Sequence, residues 1–247
     1  MNMLMNKKNK SQFEEKFSNF LDDVGYVKSW SHFDVVQALR KKPDVVIDVG
    51  VDYGTPWLYD LYPDAKFILI DPQRDAEKQL QEKPRHYVYV NKAVGAEKGK
   101  LKLEQKRNRA KSTLMQSTPL TSKKIGAKVT DQYEVEVTTL DSIIDDLKIE
   151  GEIGLKIDTE GYEIEVIKGL DKHKDKVSFI MAEVSVRDRF YNSYNFSELV
   201  SEFYTRGFRF YNIANPASLK APRFYDCIFL RHDDDLFKSG KDVKKKK

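Results

Sequence analysis

The stretch that most constrains the fold is LKIDTEGYEIEVIKGL, residues 155–170. Leu155-Lys156-Ile157 reads as a strand, and Ile164 to Leu170 has the apolar spacing of an amphipathic helix. Asp158, Thr159, Glu160 and Gly161 fill the handover between them. A strand that passes directly into a helix is the repeating unit of a parallel sheet. The same unit recurs along the chain. Val45-Val46-Ile47 suits a buried parallel strand, followed by a Gly-containing turn and a short helix over Trp57–Tyr62. Phe67–Ile70, Tyr87–Val90, Ile153–Ile157 and Phe179–Glu183 read as further strands. Ser31–Arg40 (with Ser31 as N-cap), 75–82, Thr139–Leu147 and Phe196–Thr205 read as helices. Gly207 ends the last of these, and Phe208–Ile213 and Arg223–Leu230 form a closing pair of strands. Lys100–Glu104 and Tyr133–Val137 alternate like half-exposed strands, and the polar segment 105–132, with Pro119 and Gly126, reads as loop. The pattern predicts an α/β chain with a mostly parallel sheet and helices on both faces. In such sheets ligands bind at the carboxyl ends of the strands, which is where Asp158 and Glu160 fall.

A chain of 247 residues, 40% hydrophobic, is long enough for one large domain and short for two. It contains no run of about 18 apolar residues, so no membrane-spanning helix is expected. The opening MNMLMNKKNK has no apolar signal core. The single cysteine, Cys227, forms no intramolecular disulfide; a cytoplasmic protein is the expectation. Four His and one Cys argue against zinc. The net charge of +4 lies partly in the terminal KKKK, and no basic-aromatic pattern accompanies it, so no nucleic-acid partner is expected. His86 and His173 read as surface residues.

The first strand ends in Asp48-Val49-Gly50-Val51-Asp52-Tyr53-Gly54. Gly50 and Gly54 allow tight turning and close backbone approach. Asp52 stands where a dinucleotide fingerprint has its second glycine. A negative side chain there disfavours a pyrophosphate and favours a ligand with a cationic group. The second strand ends in Asp71, about 20 residues after the glycines, the position of a ribose-binding acid. A nucleoside pocket lined by acids suits S-adenosylmethionine.

Several stretches together resemble the FkbM-type S-adenosylmethionine-dependent methyltransferases. They are D-V-G-x-x-x-G at 48–54, T-L-D-S at 139–142 and L-K-I-D-T-E-G-Y-E-I-E-V-I-K-G at 155–169. Ala93-Val94-Gly95 and Ser112-Thr113-Leu114 fall where that family has short motifs as well. The resemblance covers about residues 44–231. It implies a class I methyltransferase Rossmann-like fold, a seven-stranded sheet with the last strand antiparallel. It also implies S-adenosyl-L-methionine as cofactor and methylation of a hydroxyl on a small-molecule or saccharide acceptor. Asp48, Gly50, Gly54 and Ala93 match cofactor-binding positions. Asp71 stands where the family more often has Glu, Asp52 where it has Asn, and Val51 where it has Ala. The larger Val51 is expected to crowd the methionine end. Asp158 and Glu160 match the hallmark acids beside the acceptor, and Glu183 matches a further acid. The chain then divides into an N-terminal start and helical cap (1–43, with Phe13, Phe17, Phe20 and Leu21 on one helix), a methyltransferase domain (44–231) and a disordered basic tail (232–247).

Methyl transfer from a sulfonium is an in-line displacement, for which the protein supplies position and a nearby base. Asp158 is the first candidate base, Glu183 the second. Glu160 is the third candidate catalytic residue, and it also reads as a first-turn acid stabilised by the helix dipole. The same three acids have the oxygen donors that suit Mg²⁺, but no metal site is assigned. Asp141 reads as an early-helix acid. Arg187, Arg189, Tyr191 and Tyr194 read first as a polar loop packed on the domain, with contact to the acceptor as the alternative, and KRNRAKS (106–112) reads first as a solvated loop, with steering of an anionic acceptor as the alternative. Two other readings stay open. One is an NAD(P)-dependent oxidoreductase, against which Asp52 and the absence of a Tyr-x-x-x-Lys pair count. The other is a catalytically silent binding protein, which Val51 and Asp52 keep alive. Lipid, polyketide and protein acceptors are alternatives to a saccharide.

Overall fold

The computed structural model describes residues 30–108, 112–115, 128–214 and 222–238. The chain separates into Met1–Trp30 and Ser31–Lys247, and only the second unit is described below. The helix expected over 11–23, Pro119, Gly126, part of KRNRAKS and the terminal lysines lie outside the described residues.

In chain order the elements are α1 (His32–Ala38), β1 (Val45–Val49), α2 (Pro56–Leu61), β2 (Lys66–Ile70), α3 (Ala76–Gln79), β3 (Tyr87–Val90), β4 (Ala93–Val94), β5 (Gly99–Lys106), β6 (Val129–Thr138), α4 (Leu140–Asp146), β7 (Ile153–Ile157), α5 (Glu163–Lys168), β8 (Val177–Ser185), α6 (Phe196–Thr205), β9 (Phe208–Ile213) and β10 (Phe224–Arg231). Seven strands form one sheet in the order β3-β2-β1-β7-β8-β10-β9. β10 runs antiparallel to both neighbours, and the pairs from β3 to β8 are parallel. This is the class I methyltransferase sheet. A second sheet, β4-β6-β5, stands apart from it.

The two-residue period of the strands divides the core. Val45, Ile47, Val49, Ile68, Ile70, Ile180 and Ala182 face one layer, shared with Leu140, Ile143 and Ile144 of α4, Val166 and Ile167 of α5, and Leu199 and Phe203 of α6. Val46, Phe67, Leu69, Phe179 and Met181 face the other layer, with Val35 and Val36 of α1 and Leu58 and Tyr59 of α2. Both faces of each central strand are therefore covered, which is why these strands read as unbroken apolar runs. Full burial of each such side chain contributes about 1.5–3 kcal/mol.

The helix starts are set locally. Ser31 Oγ accepts from Asp34 N at 3.2 Å and the Asp34 carboxylate accepts from Ser31 N at 2.9 Å, a reciprocal cap. Asn195 and Glu198 do the same for α6, at 3.0 and 2.8 Å. Asp141, in the first turn of α4, accepts the backbone N–H groups of Asp171, Lys172 and His173 at 2.9, 2.9 and 3.1 Å. Three of the sequence motifs meet here. A Cβ on Gly169 would lie 2.3 Å from the Gly95 carbonyl oxygen, and Asp141 N donates to the Gly169 carbonyl at 3.0 Å. TLDS, AVG and the glycine of IKG thus form a packing joint between the small sheet and the main one.

Three expectations are corrected, and one strand was not anticipated. The loop expected over 105–132 is shorter, because β5 runs to Lys106 and β6 begins at Val129. The helix expected over 75–82 is the single turn Ala76–Gln79, ended as Leu80 leaves helical geometry. β4 was not anticipated; two residues are too few to show a period. Residues 232–238, expected in the tail, are ordered: Phe237 packs edge-on against Tyr211 at 5.7 Å, and Lys41 Nζ bonds Asp234 at 2.5 Å.

Candidate active site

The carboxyl ends of β1 and β7 emerge side by side, with Val49 in register with Ile157. Asp158 N donates to the Val49 carbonyl at 2.9 Å. Gly50 has φ +81°, and a Cβ there would lie 1.8 Å from the Asp158 carbonyl oxygen. No other residue fits, so the glycine loop and the Asp158 turn are locked backbone against backbone. On the other flank, Asp71 ends β2. Its carboxylate accepts from Asp52 N at 3.0 Å and from Gln73 N at 2.8 Å. Asp52 has φ +46°, a conformation Asp and Asn adopt more readily than other side chains. Asp52 is thus a turn residue as well as a charge. Val51 is a core residue, 3% exposed and packed with Leu58, Tyr59 and Leu69.

Asp48 lies below the cleft wall. It is fully buried, accepts from Thr55 Oγ1 at 2.8 Å and pairs with Lys156 Nζ at 3.1 Å. Asp48 and Lys156 are in register on adjacent strands. Burial pulls the Lys156 ammonium down, but Asp48 and Asp158 outweigh it and hold its pKa above the usual range. Lys156 was passed over in the sequence as a strand residue. The available signal was one charge in each of two otherwise apolar central strands, since buried charges must be paired.

Asp158 follows directly. Its Oδ2 lies 3.6 Å from Lys156 Nζ, and its side chain is 40% exposed, into the cleft. Burial by the walls raises its pKa first; Lys156 opposes this, and Asp226 and Asp48 add to it. Glu160, at φ +55°, precedes α5 and does not cap it. Its carboxylate pairs with Arg189 Nη2, while Arg189 Nη1 pairs with Glu183. Arg189, 3% exposed, therefore clamps the turn after β7 to the end of β8. Burial raises Glu160 to about 7 against the pull of Arg189. Glu183 is raised well above the usual range, first by burial and then by Asp158 and Glu160. Arg189, for which acceptor contact was the alternative reading, is occupied by the two acids. Tyr194 is likewise turned inward and donates to Glu163, whereas Arg187 and Tyr191 are exposed.

Glu163, 1% exposed, organises the turn. Its Oε1 accepts from Thr159 N at 3.0 Å, Thr159 Oγ1 at 3.1 Å and Gly161 N at 3.0 Å. Thr113, bridged to Glu104 of β5, donates from Oγ1 to the Glu160 carbonyl at 2.7 Å. Among the described residues, no group of three or more His, Cys, Asp or Glu is arranged to hold a metal ion.

These elements enclose one cleft of about 570 Å³, within the range of small-molecule sites. Gly50, Asp52, Gly54, Asp71 and Ala93 line it, as do Asp158, Glu160 and Glu183. Of the nine expected site residues only Asp48 is set behind the wall. His32, Trp57, Phe224 and Asp226 are also among the lining residues; none of them was singled out from sequence as a site residue. Asp226 carries the same signal as Lys156, a charge within the apolar run of β10.

Residues 48–210 match the sequence model of the methyltransferase FkbM domain, well over half of the chain. The chain belongs to this family. It carries a methyltransferase domain of the class that uses S-adenosylmethionine, on the fold described above. Among solved structures, an FkbM methyltransferase from Methylobacillus flagellatus KT superposes with a TM-score of 0.46 at 13% identity, over 76% of this chain and 43% of that one. This FkbM-family chain thus spans under half the length of that protein. A precorrin-6y C5,15-methyltransferase from Geobacter metallireducens GS-15 gives 0.43 at 10% identity, over 81% and 88% of the two chains. The 1,6-didemethyltoxoflavin-N1-methyltransferase of Burkholderia thailandensis, solved with bound 1,6-didemethyltoxoflavin and S-adenosylhomocysteine, gives 0.40 at 14%, over 82% and 77%. All three scores are below 0.5, and the family assignment rests on the sequence match. No curated protein sequence matches the chain at a significant level.

Proposed function

We propose that this chain transfers the methyl group of S-adenosylmethionine to a hydroxyl of a saccharide-containing acceptor. The observation that carries the reading is the position of Asp158. It faces the cleft that the glycine loop and Asp71 also line, and it is the one acid of the predicted three outside the Arg189 clamp.

The cofactor side fits the donor. Asp71 lines the cleft at the end of β2, with a carboxylate of the kind that accepts ribose hydroxyls. Gly50, Asp52 and Gly54 line the approach to the methionine end, and Ala93 leaves room for the base. When bound, S-adenosylmethionine supplies an electrophilic methyl on a positively charged sulfur. Asp158 takes the hydroxyl proton. Its raised pKa makes it a stronger base than an ordinary carboxylate, and it accepts a proton only above that pKa. The acid limb of the rate profile therefore lies above the usual Asp range. Glu183 and Glu160, held by Arg189, border the acceptor. The buried Cys227, whose thiol burial and Asp226 push up to about 12, is unreactive and fits a reducing, cytoplasmic setting.

The silent-protein reading loses its support. Asp52 and Val51, the residues that suggested it, have local roles in the turn and the core.

The test is a thermal-shift titration with S-adenosylmethionine, S-adenosylhomocysteine and NADPH, followed by label transfer from methyl-labelled donor to a saccharide panel. Ligand at about 100 times its Kd stabilises by about 2.7 kcal/mol. A shift with the adenosyl ligands alone, and turnover lost in Asp158→Ala, are the expected results. A shift with NADPH alone, or unchanged turnover in Asp158→Ala, contradicts the reading.

A further inference from the structure

One group in the cleft has no part in the reaction as described. His32 opens α1, and its Nε2 lies 2.8 Å from Asp226 Oδ2 on β10. Its ring stacks on Trp57 with centroids 5.6 Å apart and planes 24° apart. His32, Trp57 and Asp226 all line the cleft that Asp158 and Glu183 line, and Asp226 is in register with Glu183. The Asp226 side chain is 14% exposed and the His32 side chain 35%. Position 32 and position 226 both fall outside the stretch 48–210 of the family match.

The chemistry of the pair is directional. A carboxylate can only accept, so in its neutral form His32 presents Nε2–H to Asp226. The hydrogen bond fixes the tautomer, and the Trp57 stack fixes the ring plane. Nδ1 is then left as a lone-pair acceptor, and among the described residues it has no hydrogen-bond partner. An acceptor hydroxyl suits that lone pair. A carboxylate or a fully ionised phosphate does not, since it has no proton to donate to it.

We propose that His32 is an acceptor-binding residue, whose Nδ1 receives a hydrogen bond from a hydroxyl of an uncharged sugar ring. This rests on the methyltransferase reading above and extends it to the class of acceptor.

The test uses the full chain loaded with S-adenosylhomocysteine and a probe set of methyl glucoside, galactoside, mannoside and rhamnoside, with glucose 6-phosphate and glucuronate as anionic counterparts. Binding is followed by calorimetry and by the imidazole nitrogen resonances. The expected result has His32 as the Nε2–H tautomer, with a neutral glycoside shifting Nδ1 and binding more tightly than the anionic sugars. His32→Phe, which keeps a ring against Trp57, weakens that glycoside about tenfold, the loss of one hydrogen bond. His32→Asn, which keeps an acceptor atom near Nδ1, restores part of it. Melting curves and S-adenosylhomocysteine affinity of both variants verify that the fold and the cofactor side persist.

The proposal is overturned if His32 is the Nδ1–H tautomer, if the anionic sugars bind as well as the neutral ones, or if a glycoside binds His32→Phe as tightly as the native chain. Binding of S-adenosylhomocysteine with no glycoside bound overturns it along with the saccharide reading. Failure of the adenosyl ligand itself to bind marks the separate failure of the methyltransferase reading, and removes this proposal with it.

Discussion

At the ends of β1 and β2 the cleft wall is made mainly by backbone. At the ends of β7 and β8 it is made by charged side chains. On the first side, Gly50 meets the Asp158 carbonyl without room for a Cβ, and Asp71 is fixed by two main-chain N–H groups. On the second, Arg189 holds Glu160 and Glu183, and burial raises both acids and Asp158. The first construction gives a cradle fixed by main-chain contacts. The second crowds like charges around one guanidinium, so it is dependent on pH and on each member of the set.

The largest effect is expected at the junction of the two halves. Gly50→Ala places a methyl group on the Asp158 carbonyl in a backbone geometry that already disfavours it. It should destabilise the chain by at least about 4 kcal/mol, or prevent folding, in urea unfolding. A variant that folds with native stability would show that the two loops are not locked together.

Next is Arg189→Met. It leaves two acids in place without their cation, and a loss of about 3–5 kcal/mol at neutral pH is expected. The variant should recover stability on acidification as Glu160 and Glu183 take up protons. A loss below about 1 kcal/mol would mean that the clamp is not what holds the acid side.

Glu160→Gln probes the same side through pH. Glu160 is raised from an ordinary 4.5 to about 7 in the folded chain. Proton binding therefore favours folding: this contribution is complete below about pH 4.5 and is lost as pH rises through 7. The native chain should lose up to about 3 kcal/mol across that window from this group. Glu160→Gln should show a flatter profile in chemical unfolding at a series of pH values. Parallel profiles for the two proteins would contradict the raised pKa.

The smallest effect is predicted on the backbone side. Asp52→Asn keeps a residue that tolerates positive φ, and S-adenosylhomocysteine affinity should stay within about threefold of native. A change of tenfold or more would return the Asp52 charge to the account of cofactor binding.

The contrast also explains what could be read from the sequence. The parallel sheet was legible because Val45–Ile47, Phe67–Ile70 and Ile153–Ile157 are apolar on both faces, and the glycine loop because its backbone demands fall within seven residues. Asp158, Glu160 and Glu183 were legible as acids at strand ends. Their partners were not: Lys156 meets Asp48 from 108 residues away, and Arg189 meets Glu160 from 29. His32 and Asp226, 194 residues apart, gave no joint signal at all. Local spacing reveals which strand end a residue occupies, whereas only the sheet order reveals what faces it. The same limit misplaced Glu160 on the helix. Its positive φ, a backbone choice that a Glu does not advertise, turns it to Arg189.

The most direct measurement of the central claim is calorimetric titration of S-adenosylhomocysteine into the native chain, Asp71→Ala and Asp158→Asn. The cleft as described divides into a cofactor side and an acceptor side. Asp71→Ala should therefore weaken the ligand at least about tenfold, the loss of one or more ribose hydrogen bonds, while Asp158→Asn stays within about twofold. Equal losses in the two variants, or no loss in Asp71→Ala, would contradict that division.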